Sequence, residues 1–238
     1  MKIYANGCSF TYGEELVNPS AFAWPVLVAS KMNAEINNDA VSGGTNYRTL
    51  YRTIKSSCNN YDLYLIAWTD YSRFTVYKSD NNFEVNFNIQ LKNNLYKNLS
   101  EFNTWGAMYY KYWYNELYAF KLWLQQIIQL QSILKNKNYL MVNTFPNNLT
   151  AWLVEKSKFI ESVKSLIKFD LMNDEQIFAE YNEINYYIQT IDLSKFYKWG
   201  DFYIGQLSKD FPIGPQGHIL EQGHEKMADL IYNHLCSK

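Results

Sequence analysis

Apolar and polar positions along the chain alternate between two periods. Short apolar runs at 3–5, 64–68 and 139–142 read as buried strands, and 34–36 as a further strand ending at Asn37 and Asn38. Between them the period lengthens to that of a helix. Ala23, Trp24, Val28 and Met32 predict a helix over 21–32, with Pro25 tolerable only near its start. A second helix is expected over 46–55, with Arg48 and Arg52 in solvent. The longest, over 104–135, carries the stripe Tyr109, Trp113, Leu117, Phe120, Leu124, Ile127, Gln131 and Leu134. Phe83, Val85, Phe87, Ile89 and Leu91 alternate within an Asn-rich stretch, 77–100, as a strand or hairpin would. Phe159, Val163 and Ile167, then Ile177, Tyr181 and Ile184, suggest two more helices. Met227, Ala228, Ile231 and Leu235 mark the last one, over 221–235.

Strands alternating with helices predict an α/β fold. The expected architecture is a three-layer αβα sandwich, flavodoxin-like, around a parallel sheet of about five strands, with its site at the strands' carboxyl ends. No Gly/Ser/Pro-rich linker interrupts the sequence. One domain over 1–238 is therefore expected, with insertions at about 75–104 and 150–200.

The first strand ends at Asn6 and Gly7, and small or polar residues follow to Gly13. Such a turn feeds a helix, exposes Ser9 at a strand's carboxyl end, and aims backbone N–H groups at a developing negative charge. Ser9 is thus either a nucleophile or an ordinary turn residue or cap. The three histidines, His218, His224 and His234, all lie at the other end of the chain. His218 precedes the last helix on a loop, where it can serve as a base for Ser9. Gly43 and Gly44 allow a close backbone approach or an ordinary turn.

Composition narrows the classes. A net charge of −1 supplies no basic field for nucleic acid. Cys8, Cys58 and Cys236 are odd in number and scattered, so neither a disulfide framework nor a metal cluster is expected. A metal pair of His218 and His224 lacks a compact carboxylate partner. No cofactor is expected. No charged start precedes an apolar segment, and no run is long enough to span a membrane, so cytoplasmic synthesis without a signal peptide is expected. The 21 tyrosines suit sugar or peptide contact, or reflect compositional drift.

Four blocks together resemble the SGNH (GDSL-type) hydrolase superfamily. Gly7-Cys8-Ser9-Phe10-Thr11 resembles the first, usually Gly-Asp-Ser, with Cys8 at the Asp position, where a packing role is expected. The stretch 38–46, containing Gly43, Gly44 and Asn46, resembles the second. The strand at 62–66 resembles the lead into the third. His218 followed by Gly223 and His224 resembles the last. The resemblance implies a serine hydrolase cleaving an ester through an acyl-serine, with an O-acetyl group on a carbohydrate as the candidate ester. Ser9 and His218 would be catalytic, and Ser9, Gly43, Asn46 and Thr69 would supply oxyanion donors. The substrate would be a small-molecule or glycan ester, with no nucleic-acid or membrane partner. Two departures matter. The third-block Asn is replaced by Tyr71, leaving Thr69 as substitute donor and Arg73 as a substrate contact or a loop ion pair. The Asp expected two or three residues before the histidine is replaced by Gln216 and Pro215. Gln216 or Asp210 is left to orient His218. If neither does, the alternative is a weak or inactive SGNH fold that binds a glycan or a protein.

Overall fold

A computed structural model describes residues 1–78, 83–87, 101–146 and 174–237. The strands are β1 (Lys2–Asn6), β2 (Glu35–Asn38), β3 (Leu63–Trp68), β4 (Phe74–Lys78), β5 (Phe83–Phe87) and β6 (Tyr139–Asn143). The helices are α1 (Ser9–Tyr12), α2 (Pro19–Phe22), α3 (Trp24–Lys31), α4 (Asn46–Ser57), α5 (Glu101–Tyr112), α6 (Glu116–Ile133), α7 (Asp174–Thr190) and α8 (Glu221–Cys236). Contacts divide the chain into two compact units. The first comprises Met1–Asp70, Leu130–Pro146 and Asp192–Lys238; the second comprises Tyr71–Gln129 and Asn147–Ile191.

The first unit is a parallel sheet in the order β2-β1-β3-β6. This is the flavodoxin-like order. Four strands are present among the described residues instead of the expected five. A single parallel bridge between Met141 and Phe196, with Tyr197 N–H on Met141 O at 2.8 Å, occupies the position beyond β6. Register sets the two faces. Ile3 lies beside Leu63, Ala5 beside Leu65, and Leu65 beside Leu140. Their side chains join Trp24 and Val28 of α3 and Met227, Ala228 and Ile231 of α8 in one buried cluster. The opposite face carries Tyr4, Asn6 and Tyr64 and meets α4. Asn6 Nδ2 donates to Thr49 O at 3.2 Å, and Tyr64 Oη donates to Ser56 O at 3.4 Å. The three layers follow from this period-2 division.

Three expectations are corrected. The helix over 21–32 is two helices, because the Pro25 ring would strike the carbonyl four residues back in a continuous one. The chain breaks at Ala23, whose backbone is extended, and restarts with Pro25 in the first turn. The helix over 104–135 is also two. Asn115 starts the second by accepting the Tyr118 N–H at 2.8 Å, and Trp113 leaves the stripe for solvent at 64% exposure. Arg48 is not solvated. It is 6% exposed and donates to Asp39 O at 2.9 Å and Asn6 Oδ1 at 3.4 Å. Arg52 pairs with both Asp39 carboxylate oxygens, at 3.0 and 2.9 Å.

In the second unit β4 and β5 pair antiparallel, Val76 opposite Val85; of the strand or hairpin expected within 77–100, Phe83, Val85 and Phe87 fall on β5, and β4 starts before that stretch. Phe74 packs on Tyr109 with ring centroids 4.2 Å apart. Lys121 of α6 pairs with Glu180 and Glu183 of α7 at 2.7 and 2.9 Å. The expected helix around Ile177, Tyr181 and Ile184 is α7. Phe159, Val163, Ile167, Ile89 and Leu91 lie outside the described residues.

Candidate active site

The site is assembled in the first unit from the carboxyl ends of β1, β2 and β3 and from the loop before α8. After β1, Asn6 Oδ1 accepts the Gly7 N–H at 2.8 Å and fixes the turn. A β-carbon on Gly7 would lie 2.5 Å from Thr11 Oγ1 and 3.0 Å from Ala67 O, so the turn crosses closely over the end of β3 and a side chain there would have to displace its neighbours. Cys8 caps α1 with extended backbone and is fully buried in the core cluster. That is the packing role expected for it. Ser9 opens α1 and is 4% exposed. Its Oγ makes no hydrogen bond to a described residue, the His218 ring included.

The loop after β2 closes on this turn. A β-carbon on Gly44 would stand 2.6 Å from Gly7 O and 3.3 Å from Cys8 Cα, so Gly44 makes the close approach. Gly43 has φ of +68° with open space around it, and Gly44 N–H donates to Val41 O at 3.1 Å. Asn46 does not fit an oxyanion donor. Its Oδ1 accepts the Thr69 N–H at 2.8 Å, and its Nδ2 donates to Thr69 O at 3.1 Å and Asp70 O at 3.4 Å. Both amide hydrogens are used in tying α4 to the end of β3. Thr69 is 3% exposed, and its Oγ1 is buried without a partner. Arg73 lies in the second unit, just before β4.

His218 sits on a turn closed by an antiparallel bridge between Ile213 and Ile219, with Gly214 N–H on His218 O at 2.8 Å. Its ring packs on Phe10, the residue after Ser9, with centroids 5.0 Å apart. Neither Gln216 nor Asp210 orients it. The Gln216 side chain is exposed, and Asp210 is an exposed cap of the 3₁₀ turn Ile204–Lys209. The partner is Glu15. Glu15 Oε2 lies 2.8 Å from His218 Nδ1 and accepts the His218 N–H at 3.1 Å, while Oε1 accepts the Gln216 N–H at 2.8 Å. Burial alone would raise this carboxyl's pKa, but the bonds from Gln216 and His218 outweigh it and hold it below the ordinary range. An ionised carboxylate can only accept, so the 2.8 Å contact is a hydrogen bond when His218 Nδ1 carries a proton.

His224 belongs to the scaffold. It is fully buried, its Nδ1 accepts the Trp24 N–H at 3.0 Å, and burial pulls its pKa down to about 4. His234 packs edge-on against Tyr197 in the last turn of α8. No group of three or more metal-ligating side chains occurs among the described residues. No helix among them is long and apolar enough to cross a membrane.

No family model matches the chain, and no curated protein matches it. Among solved structures it is similar to a lipolytic protein of the G-D-S-L family from Veillonella parvula, at 11% identity and a TM-score of 0.48, over 100% of this chain and 99% of that one. It is similar to the esterase EstA from Pseudoalteromonas sp. at 11% identity and 0.48, over 99% and 97%. It is similar to phospholipase A1 from Streptomyces albidoflavus at 13% and 0.46, over 98% of each. All three likenesses lie at 11–13% identity.

Proposed function

We propose that the chain is a divergent SGNH-type serine hydrolase that cleaves an ester through an acyl-serine. The observation that carries this reading is the carboxylate-held imidazole of His218 against the Ser9 turn. An imidazole with its Nδ1 proton committed to a carboxylate has its Nε2 free to act as a base. Ser9 Oγ forms a bond to the ester carbonyl carbon as His218 Nε2 takes the hydroxyl proton, and the carbonyl electron pair moves onto oxygen. The Ser9 and Gly43 N–H groups are the donors for that oxyanion. As the tetrahedral species collapses, the C–O bond to the leaving group breaks and His218 returns its proton to the departing oxygen. Water, deprotonated by His218, then releases the acid and restores Ser9.

A carbohydrate O-acetyl ester is the first substrate class to test. Tyr12 on α1, three residues after Ser9, is 40% exposed, and an exposed tyrosine ring suits sugar contact.

Labelling with a fluorophosphonate probe and mapping the modified peptide tests the reading. Label is expected on Ser9, absent in Ser9→Ala and slowed at least ~10³-fold in His218→Ala. Folded wild-type protein that takes no label would overturn it and favour a non-catalytic glycan- or protein-binding role.

A further inference from the structure

Glu15 follows Ser9 by only six positions, and its carboxylate meets a loop more than 200 residues later. Its backbone has φ of +69°, a left-handed conformation that non-glycine residues seldom hold unless their surroundings require it. Its side chain is 9% exposed. Three N–H donors converge on it, all from residues 216–218: two backbone groups and the imidazole. Gly214 completes the enclosure, since a β-carbon there would lie 2.5 Å from the Glu15 carboxyl carbon. A carboxylate needed only to hold the loop would be satisfied by the two backbone donors. The third bond goes to the one ring nitrogen that decides the tautomer of the base.

We propose that Glu15 is the positioning carboxylate of the site, so that the acid, usually found beside the histidine, is supplied here from the nucleophile's own turn. This rests on the Ser9–His218 reading. Glu15 keeps the Nδ1 proton on His218, aims Nε2 away from itself, and faces the imidazolium formed when the base takes a proton. It accepts no proton itself. The chain order of the three groups is then Ser9, Glu15, His218.

The test combines labelling kinetics with ¹⁵N NMR of the histidine rings at pH 8, His218 being assigned from His218→Ala. Wild-type His218 is expected as a single Nδ1–H tautomer. Glu15→Gln, whose amide presents a donor where an acceptor is needed, is expected to convert it to the other tautomer or a mixture. Labelling of Ser9 should slow by up to roughly 10⁴-fold in a protein with unchanged circular dichroism. Glu15→Asp, which keeps the charge, should recover part of that rate, and Asp210→Asn should label as wild type does. A wild-type ring protonated at Nε2 overturns the proposal without any variant having to fold. So does a folded Glu15→Gln with wild-type tautomer and rate. If wild-type protein takes no label, the hydrolase reading fails alone, and the tautomer still decides whether Glu15 positions the ring.

Discussion

At the scale of single residues, the site depends on positions where an added atom has nowhere to go. Gly214 is the sharpest case. A methyl there meets both carboxylate oxygens and the carboxyl carbon of Glu15 at 2.5 to 2.7 Å. The turn around it is bonded at both ends, Gly214 N–H to His218 O and Gly217 N–H to Gly214 O at 2.9 Å, so it has little freedom to yield. Gly214→Ala is expected to displace Glu15 and slow Ser9 labelling at least tenfold while the protein remains folded, as label rate and circular dichroism measured together would show. The Ser9 turn, the Gly43–Gly44 loop and the His218 loop each stand out in the sequence as a local pattern, and all three segments lie in the first unit. Glu15 was not. Its role comes from a contact across 203 positions and from a left-handed backbone that no neighbouring residue announces. Arg48 was misread for a related reason. Its burial is decided by Asp39 and Asn6, which approach only when β1, β2 and α4 pack.

Elements show how such side chains decide where structure starts and stops. Asn46, at the first turn of α4, clasps the end of β3 through the Thr69 N–H and O and the Asp70 O. Removing the amide leaves buried backbone groups without partners. Asn46→Ala should cost about 1–3 kcal/mol, measured by urea unfolding. Asn46→Asp should recover only the bond from the Thr69 N–H. Whereas β4 begins ahead of the alternating stretch 77–100, the four strands of the parallel sheet were legible to within one or two residues. Helix lengths were not, since the stripes over 21–32 and 104–135 continue across breaks set by Pro25 and Asn115. Periodicity reports which face is buried. It does not report whether the backbone is continuous.

Over the whole molecule, pH is the variable these groups respond to together. His224 is buried neutral, with its pKa lowered to about 4. The unfolded chain takes up a proton near pH 6.5 that the folded one refuses until about pH 4, so stability falls with pH across that window. The loss is about 3 kcal/mol for a group so enclosed. Glu15 and Asp39, both held below the ordinary carboxylate range, add losses of the same sign at lower pH, as they are protonated. Unfolding midpoints should therefore drop between pH 6.5 and 4, and His224→Asn, which keeps an acceptor for the Trp24 N–H, should flatten the slope there. The fold class was legible at this scale because alternating strands and helices leave few ways to build a parallel sheet. The division into two compact units was not, because each unit is assembled from segments distant in sequence.

The clasp of Glu15 by the loop at 216–218 has a kinetic meaning as well. Closing a loop of this length is entropically demanding, and its reward is realised only when both ends are already ordered. Helices and neighbouring strands can form with the Glu15 carboxylate still in water and the imidazole still turning freely. A partly folded chain would then carry Ser9 without a directed base, and reactivity at that serine would belong to the finished fold alone. On the proposed reading the arrangement works as an interlock: the contact that joins the early part of the sequence to the late part is the one that directs the base.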